Sequence, residues 1–307
     1  MKIKAGVAGT GSMGRNHARV YSMLEDVELT AIYDQDLSRA EKVAAEYGCK
    51  AVSSLEELAE HAQAISVAVP TVVHREVGCK LMQLGCDVLM EKPIANSLDD
   101  AKALIETSVS EDRILQVGHI ERFNPVMRSL EQRLNKPKFI EAHRLSPFPN
   151  RSMDIGVVLD VMIHDLEIIL HLVKSPVSSI DAVGVNVLTH REDIANARIR
   201  FENGCVANVT ASRISPEKMR KLRVFQDDCY LSLDYQEQSG EMYWKEGMQI
   251  MKNEVEIEKD EPLKLELASF VDCAAKGETP AVTGQHGAEA LSVALEITNL
   301  IAQANQA

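Results

Sequence analysis

The sequence predicts a two-domain mixed α/β protein: a doubly wound parallel sheet at the N-terminus, then an α+β domain built on a largely antiparallel sheet. Three observations carry this reading. Short apolar runs alternate with helical patterns through residues 1–120, and continuous apolar strands of this kind are those buried on both faces of a parallel sheet. A glycine cluster follows the first of these runs without a break. From residue 121 the pattern changes to longer β-rich runs that succeed one another, which short turns join into antiparallel pairs. A length of 307 residues suits two domains, expected at 1–120 and 121–307.

Taken in order, Ile3 to Ala8 reads as a strand and Met13 to Leu24 as the helix after it. Val27 to Tyr33 is a second strand ending at Asp34, and Leu37 to Tyr47 is helical, with Ser38 and Glu41 at capping-box spacing. Cys49 to Val52 is a short strand, followed by a helix from Leu55 to Glu60 that Ser53 or Ser54 would cap. Pro70 stops a buried strand from Ala64 to Val69, and Gly85 ends a helix from Val73 to Leu84. Asp87 to Met90 is a strand stopped by Glu91-Lys92-Pro93; a helix from Leu98 to Ser108 and a strand from Ile114 to Val117 complete the first domain.

In the second domain the β-rich runs are Phe139 to Leu145, Ile180 to Leu188, Ala195 to Phe201, Cys205 to Ala211, Lys221 to Gln226 and Tyr230 to Tyr235. Glu202-Asn203-Gly204 sits between two of them and suits a hairpin turn. Helices are expected at Leu159 to Leu172, Lys264 to Ala275 and Gly287 to Ala304.

The formal net charge is -13. A surface this acidic repels phosphate backbones, so nucleic-acid binding is not expected. The six cysteines form no C-x-x-C pair, which argues against a zinc site and for thiols in a reducing compartment. The chain opens directly on a strand, and no apolar run reaches the roughly 18 residues that span a bilayer. A cytoplasmic protein without a membrane partner is expected.

Gly9-Thr10-Gly11-Ser12-Met13-Gly14 is a G-x-G-x-x-G run between the first strand and the first helix. The first glycine permits a tight turn, the second lets backbone approach a pyrophosphate, and the third lets helix pack on strand. The helix N-terminus offers N–H groups to the anion. Asp34, about twenty residues further on at the next strand end, can accept from both hydroxyls of a ribose. With Asp36 nearby, a 2′-phosphate would be repelled. The N-terminal domain is therefore expected to be a Rossmann domain binding NAD. Thr71 and His74 follow the fourth strand, where the ligand crevice of such sheets lies; His74 could equally pack on its own helix.

Glu91 and Lys92 follow the next strand and so also reach the crevice, where an ammonium can hold a substrate hydroxyl and stabilise alkoxide character. Most lysines are plain surface charges; the strand end and the following proline set this one apart. In the apolar run LDVMIHDLEIILHLV, Asp160 and His164 stand four residues apart, on one helix face. A carboxylate there can raise the basicity of the imidazole, and hydroxyl oxidation needs a base near neutral pH. A histidine in an apolar helix is by itself more often structural, and His171 is left without a role.

These four features, Gly9 to Gly14, Val69-Pro70-Thr71, Glu91-Lys92-Pro93 and Asp160 to His164, together resemble the glucose-fructose oxidoreductase / inositol dehydrogenase / MocA family over the whole chain. The resemblance implies a catalytic set of Lys92, Asp160 and His164. It also implies a second domain whose open sheet carries helices on one face and joins subunits through the other, hence a homodimer or homotetramer.

Val117 to Pro125, Met153 to Gly156, Glu192 to Arg198 and Ala211-Ser212-Arg213 are similar to the branch of that family acting on nucleotide sugars. That likeness implies oxidation of the 3-hydroxyl of UDP-N-acetylglucosamine, giving a 3-keto sugar nucleotide for later transamination toward lipid A with 2,3-diamino sugars. A diphosphate needs cations or N–H donors. The candidates are Arg122, Arg144, Arg151 and Arg213, with His119 and Asn124 near the crevice; pairing of these arginines with the many acidic residues is the plainer alternative. No metal is expected. Rival readings are an inositol or other free-sugar dehydrogenase, an NAD-retaining glycosidase, and an NAD-binding protein without turnover.

Overall fold

The computed structural model describes residues 2–148 and 155–305. The chain forms two compact units, Met1–Ile120 with Glu261–Ala288, and Glu121–Asp260 with Glu289–Ala307.

In the first unit, strands β1 (Ile3–Ala8), β2 (Val27–Tyr33), β3 (Lys50–Val52), β4 (Ala64–Val67), β5 (Asp87–Glu91) and β6 (Leu115–Gly118) alternate with helices α1 (Ser12–Met23), α2 (Leu37–Tyr47), α3 (Leu55–His61), α4 (His74–Gln83) and α5 (Leu98–Ser110). The sheet order is β3-β2-β1-β4-β5-β6 with every pair parallel, the doubly wound Rossmann arrangement. All four residues of β4 and of β6 are buried, as strands covered on both faces must be. The caps follow local chemistry. Ser54 accepts from Glu57 N–H and Ser97 from Asp100 N–H. Asp36, not Ser38, caps α2: its carboxylate accepts from Ser38 N–H, and Gly48 ends the helix at φ +70°.

The second unit holds α6 (Pro125–Glu131), β7 (Phe139–Leu145), a π-helical turn at Val158–Met162 that runs into α7 (Ile163–Val173), and strands β8 (Val177–Val185), β9 (Ile194–Phe201), β10 (Val206–Ser212), β11 (Met219–Phe225), β12 (Cys229–Asp234), β13 (Ser239–Glu246) and β14 (Gln249–Glu254). The order is β14-β13-β12-β11-β7-β10-β9-β8, with β7 and β10 parallel and the other pairs antiparallel. The expected turn at Gly204 joins β9 to β10 with φ +86°. One sheet face (Ile140, Ala142, Ala197, Ile199, Val209, Leu222, Val224) packs on Ile163, Leu166 and Ile169 of α7. The opposite face carries polar cross-strand pairs, Asn196 with Thr210 and Arg198 with Asn208, beside a row of rings from Phe139 through Phe225 and Tyr230 to Tyr243.

One domain expectation is corrected. Residues 261–288, expected in the second domain, belong to the first unit. In α8 (Pro262–Lys276), Leu263, Leu267, Phe270 and Val271 form one apolar face buried with Ala5, Val7, Ala18 and Tyr21. Burying each of these large side chains contributes up to about 1.5–3 kcal/mol, and this places the segment on β1 and α1. The last helix, α9 (Gly284–Ala304), begins in the first unit and from Glu289 counts with the second.

Candidate active site

The glycine loop is built as its spacing requires. Gly9 has φ +95°, and a Cβ there would lie 2.6 Å from the Ala68 carbonyl oxygen; a Cβ on Gly14 would lie 1.8 Å from that of Gly9. These two glycines let the loop turn and let α1 sit down on it. A Cβ on Gly11 would meet nothing within 4 Å. That open position, at the N-cap of α1 and flanked by Thr10 and Ser12, suits the close approach of a pyrophosphate. Asp34 reaches back to the loop: its Oδ2 accepts from Thr10 N–H at 2.7 Å and from the Thr10 hydroxyl at 2.6 Å. Its Oδ1 accepts from Asp36 N–H at 2.9 Å, which leaves one lone pair of Oδ1 for a ribose hydroxyl. The residues present thus fit a dinucleotide.

Thr71 opens a short 3-10 turn after Pro70 and is partly exposed. His74 is 1% exposed, and its ring is spent inside the protein. Nε2 lies 3.0 Å from the Val69 carbonyl, and Nδ1 lies 3.1 and 3.2 Å from those of Pro93 and Ile94. Burial holds its pKa below the ordinary histidine value. His74 therefore ties two loops together, a correction to the cofactor contact expected from its position. Glu91 is likewise buried: its Oε1 lies 3.0 Å from His17 Nε2, and its Oε2 accepts from Lys92 N–H at 3.2 Å. It acts on the turn beneath Lys92 in place of the expected direct contact with cofactor. Lys92 itself is half-buried at the end of β5.

In the second unit Asp160 lies in the π-helical turn and His164 in the first turn of α7, both half-buried. The start of this helix is anchored by neighbouring carboxylates. Val157 N–H donates to the Glu192 backbone carbonyl at 2.9 Å and Val158 N–H to its Oε1 at 3.4 Å; a Cβ on Gly156 would lie 1.8 Å from that oxygen, so a side chain there would have to push the carboxylate aside. Asp193 accepts from three consecutive N–H groups, Val187, Leu188 and Thr189, at 2.6 to 2.9 Å. Burial alone would push its carboxyl up, but these donors and Arg213 hold it far below the usual range. Asp165, next to His164, takes both Arg144 Nε at 2.9 Å and Arg144 Nη2 at 2.8 Å.

Most of the residues expected on a diphosphate are committed elsewhere. Arg144 also donates to Glu121 at 2.7 Å, and the two carboxylates, against the cost of burial, hold its pKa above the ordinary arginine value. Arg213 is fully buried and donates to Asp193, the Ile155 carbonyl and the Thr189 hydroxyl. Arg122 donates to Glu167 at 2.7 Å. Asn124 caps α6 and donates to Glu121 and to the Tyr235 carbonyl. His119 is buried at 1% exposure. Buried guanidinium groups must be paired, and these are paired with carboxylates of their own unit; Arg122, Arg144, Arg213 and Asn124 thus support the scaffold, a correction to the expected substrate contacts. Arg151 lies outside the described residues. His171, left without a role, pairs with Glu131 at 2.7 Å.

The residue that sequence reasoning missed is His17. It stands three residues past Gly14 in GSMGRNHAR, which puts it on the same helix face as that packed glycine, and this was the available signal. Among the described residues no group of three or more His, Cys, Asp or Glu is placed to hold a metal, and no helix is long and apolar enough to cross a membrane.

Comparison with known proteins bears on the whole chain. Residues 3–119 match the model of the oxidoreductase family with an NAD-binding Rossmann fold, and residues 130–231 match the GFO/IDH/MocA C-terminal domain. The chain is 34% identical to UDP-N-acetylglucosamine 3-dehydrogenase of Acidithiobacillus ferrooxidans over 302 residues, 96% of each protein. It is 26% identical to the NAD(+)-dependent scyllo-inositol 2-dehydrogenase of Bacillus subtilis, over 97% of this chain and 94% of that one. The solved structure of the Acidithiobacillus ferrooxidans enzyme superposes with a TM-score of 0.94 over 98% of both chains. Levoglucosan dehydrogenase in complex with NADH and levoglucosan, 16% identical, shares the fold at a TM-score of 0.89 over 99% of this chain and 98% of that one.

Proposed function

The chain belongs to the GFO/IDH/MocA family of NAD-binding oxidoreductases, and from that premise we propose that it oxidises the 3-hydroxyl of UDP-N-acetylglucosamine to the 3-keto sugar nucleotide. The observation that carries this substrate is the 34% identity to a dehydrogenase named for that reaction, held over 96% of both proteins. Lys92, Asp160 and His164 supply the groups the chemistry needs.

His164 takes the proton of the 3-hydroxyl as general base. Lys92 holds the same oxygen and offsets the negative charge that develops on it. Asp160 orients the imidazole and favours its protonated form. The carbonyl forms as C3 loses its hydrogen with the electron pair. NAD, when bound, supplies the acceptor for that hydride. Gly9 to Gly14 hold the pyrophosphate, Asp34 the adenosine ribose, and Thr71 lies toward the nicotinamide end. Arg151, the remaining candidate of the four arginines, is assigned to the substrate diphosphate. The protein acts in the cytoplasm, and a second copy covers the outer face of the eight-stranded sheet.

The test is NADH formation by purified protein with UDP-N-acetylglucosamine, UDP-glucose, myo-inositol and glucose. UDP-N-acetylglucosamine is expected to give the highest kcat/KM. A higher value for myo-inositol or glucose overturns the substrate, and release of free sugar without NADH overturns the reaction.

A further inference from the structure

Two buried histidines from different helices close on the turn that carries Lys92. His17, on α1, is fully buried and places Nε2 3.0 Å from Glu91 Oε1. The other oxygen of Glu91 accepts the backbone N–H of Lys92 at 3.2 Å. Glu91 lies close against β6, because a Cβ on Gly118 would lie 3.2 to 3.3 Å from its Cα, Cδ and Oε2. His17 Nδ1 has no hydrogen-bond partner among the described residues. A carboxylate oxygen accepts, so the Nε2 proton of His17 is the one donated to Glu91.

On the other side of the lysine, His74 on α4 reaches the Pro93 and Ile94 carbonyls with Nδ1 and the Val69 carbonyl with Nε2. The residue before Lys92 is therefore gripped by one histidine and the two after it by the other. α1 is also the helix whose N-terminus forms the glycine loop, and Gly14 lets it lie against that loop. The bond from His17 thus runs from the helix of the dinucleotide loop straight to the lysine's turn.

We propose that His17 and His74 are positioning residues for Lys92, with His17 linking the placement of the ammonium to the helix that holds the cofactor. This rests on the reading that Lys92 holds the substrate oxygen. A misplacement on the order of 1 Å at a reacting group can cost roughly 100-fold in rate, so small shifts of this turn matter while the loop that binds NAD stays intact.

The experiment compares His17→Leu, His17→Gln, His74→Leu, His74→Gln and Gly118→Ala, which presses on Glu91 from β6, with Lys92→Ala as reference. Three quantities are read: kcat and KM, NAD affinity by calorimetry, and the Lys92 resonance in NMR of the isotopically dimethylated protein, assigned with Lys92→Arg. The leucine variants should lower kcat by roughly 10- to 100-fold, shift the Lys92 resonance, and leave NAD affinity close to wild type. Each glutamine variant, which keeps a donor, should recover most of both effects. If a leucine variant does not fold, Gly118→Ala and the glutamine variants carry the decision through the same resonance.

An unmoved Lys92 resonance with wild-type kcat in folded His17→Leu and His74→Leu overturns the proposal. So does an effect confined to NAD affinity, or one that glutamine fails to rescue. Wild-type turnover by Lys92→Ala would overturn the role of the lysine instead, and the resonance would still report whether the histidines set its place.

Discussion

The turn of Lys92 and the helix of His164 are held in place by different physics. Around Lys92 the contacts are hydrogen bonds of two imidazoles to backbone carbonyls and to one carboxylate. Around His164 they are arginine–carboxylate pairs: Arg144 with Asp165 and Glu121, Arg122 with Glu167, and Arg213 with Asp193. An imidazole contact can be replaced by an amide at modest cost. A buried ion pair cannot lose one partner without leaving an uncompensated charge.

The largest expected effects fall on Lys92 and His164, the groups proposed to act on the substrate hydroxyl, where the two regions should behave alike. Lys92→Ala and His164→Ala should each lower kcat by roughly 10²–10⁴-fold, with NAD binding by calorimetry near wild type, because the glycine loop and Asp34 are untouched. Near-normal turnover in either variant would remove that residue from the mechanism and leave the comparison one-sided.

Next in size is the cost of breaking each scaffold. Arg144→Ala would strand the nearly fully buried Asp165 and leave Glu121 with only Arg220 and Asn124, and should destabilise the protein by about 3–5 kcal/mol. His74→Gln should cost no more than about 1–3 kcal/mol, the range for one unmet buried polar group. Urea unfolding of both variants gives the ratio. Equal losses would mean that the two regions are not held differently.

Much of this was legible in the sequence because backbone geometry constrains residue type. A turn at φ +95° and a helix packed within Cβ distance of a carbonyl admit glycine at Gly9 and Gly14, so spacing alone located the loop. Continuous apolar strands marked the parallel sheet for the same reason. What escaped depends on which face meets which. The apolar face of α8 is visible in sequence, but nothing local says that it packs on β1. The arginines announce charge and not burial, so Arg144 and Arg213 read as ligand contacts when their guanidinium groups close on Asp165 and Asp193. The hairpin of β13 and β14 was missed because few of its side chains are buried and its alternation is faint. Four-residue spacing placed Asp160 and His164 on one helix, but the π-helical turn between Val158 and Met162 leaves no mark in the residue types.

The smallest expected effect sharpens the comparison through pH. Burial pushes the Glu167 carboxyl up to about 7, against the pull of Arg122 beside it. Burial also acts on Glu121, but Arg144 and Arg220 bring it below the ordinary value. The signs are opposite. A carboxyl raised from 4.5 to about 7 binds its proton more tightly in the folded chain, so stability from Glu167 declines as pH rises through that window. Glu121, held low, contributes above its ordinary range, and that contribution is lost as the solution is made acidic. Glu167→Gln keeps an oxygen for Arg122 and removes the titration. Between the ordinary value of 4.5 and about 7, unfolding free energies of the wild type should fall relative to this variant. The slope should approach, and not exceed, about 1.4 kcal/mol per pH unit. Parallel pH profiles would mean that Arg122 keeps Glu167 ionised throughout, and that α7 rests on permanent ion pairs alone.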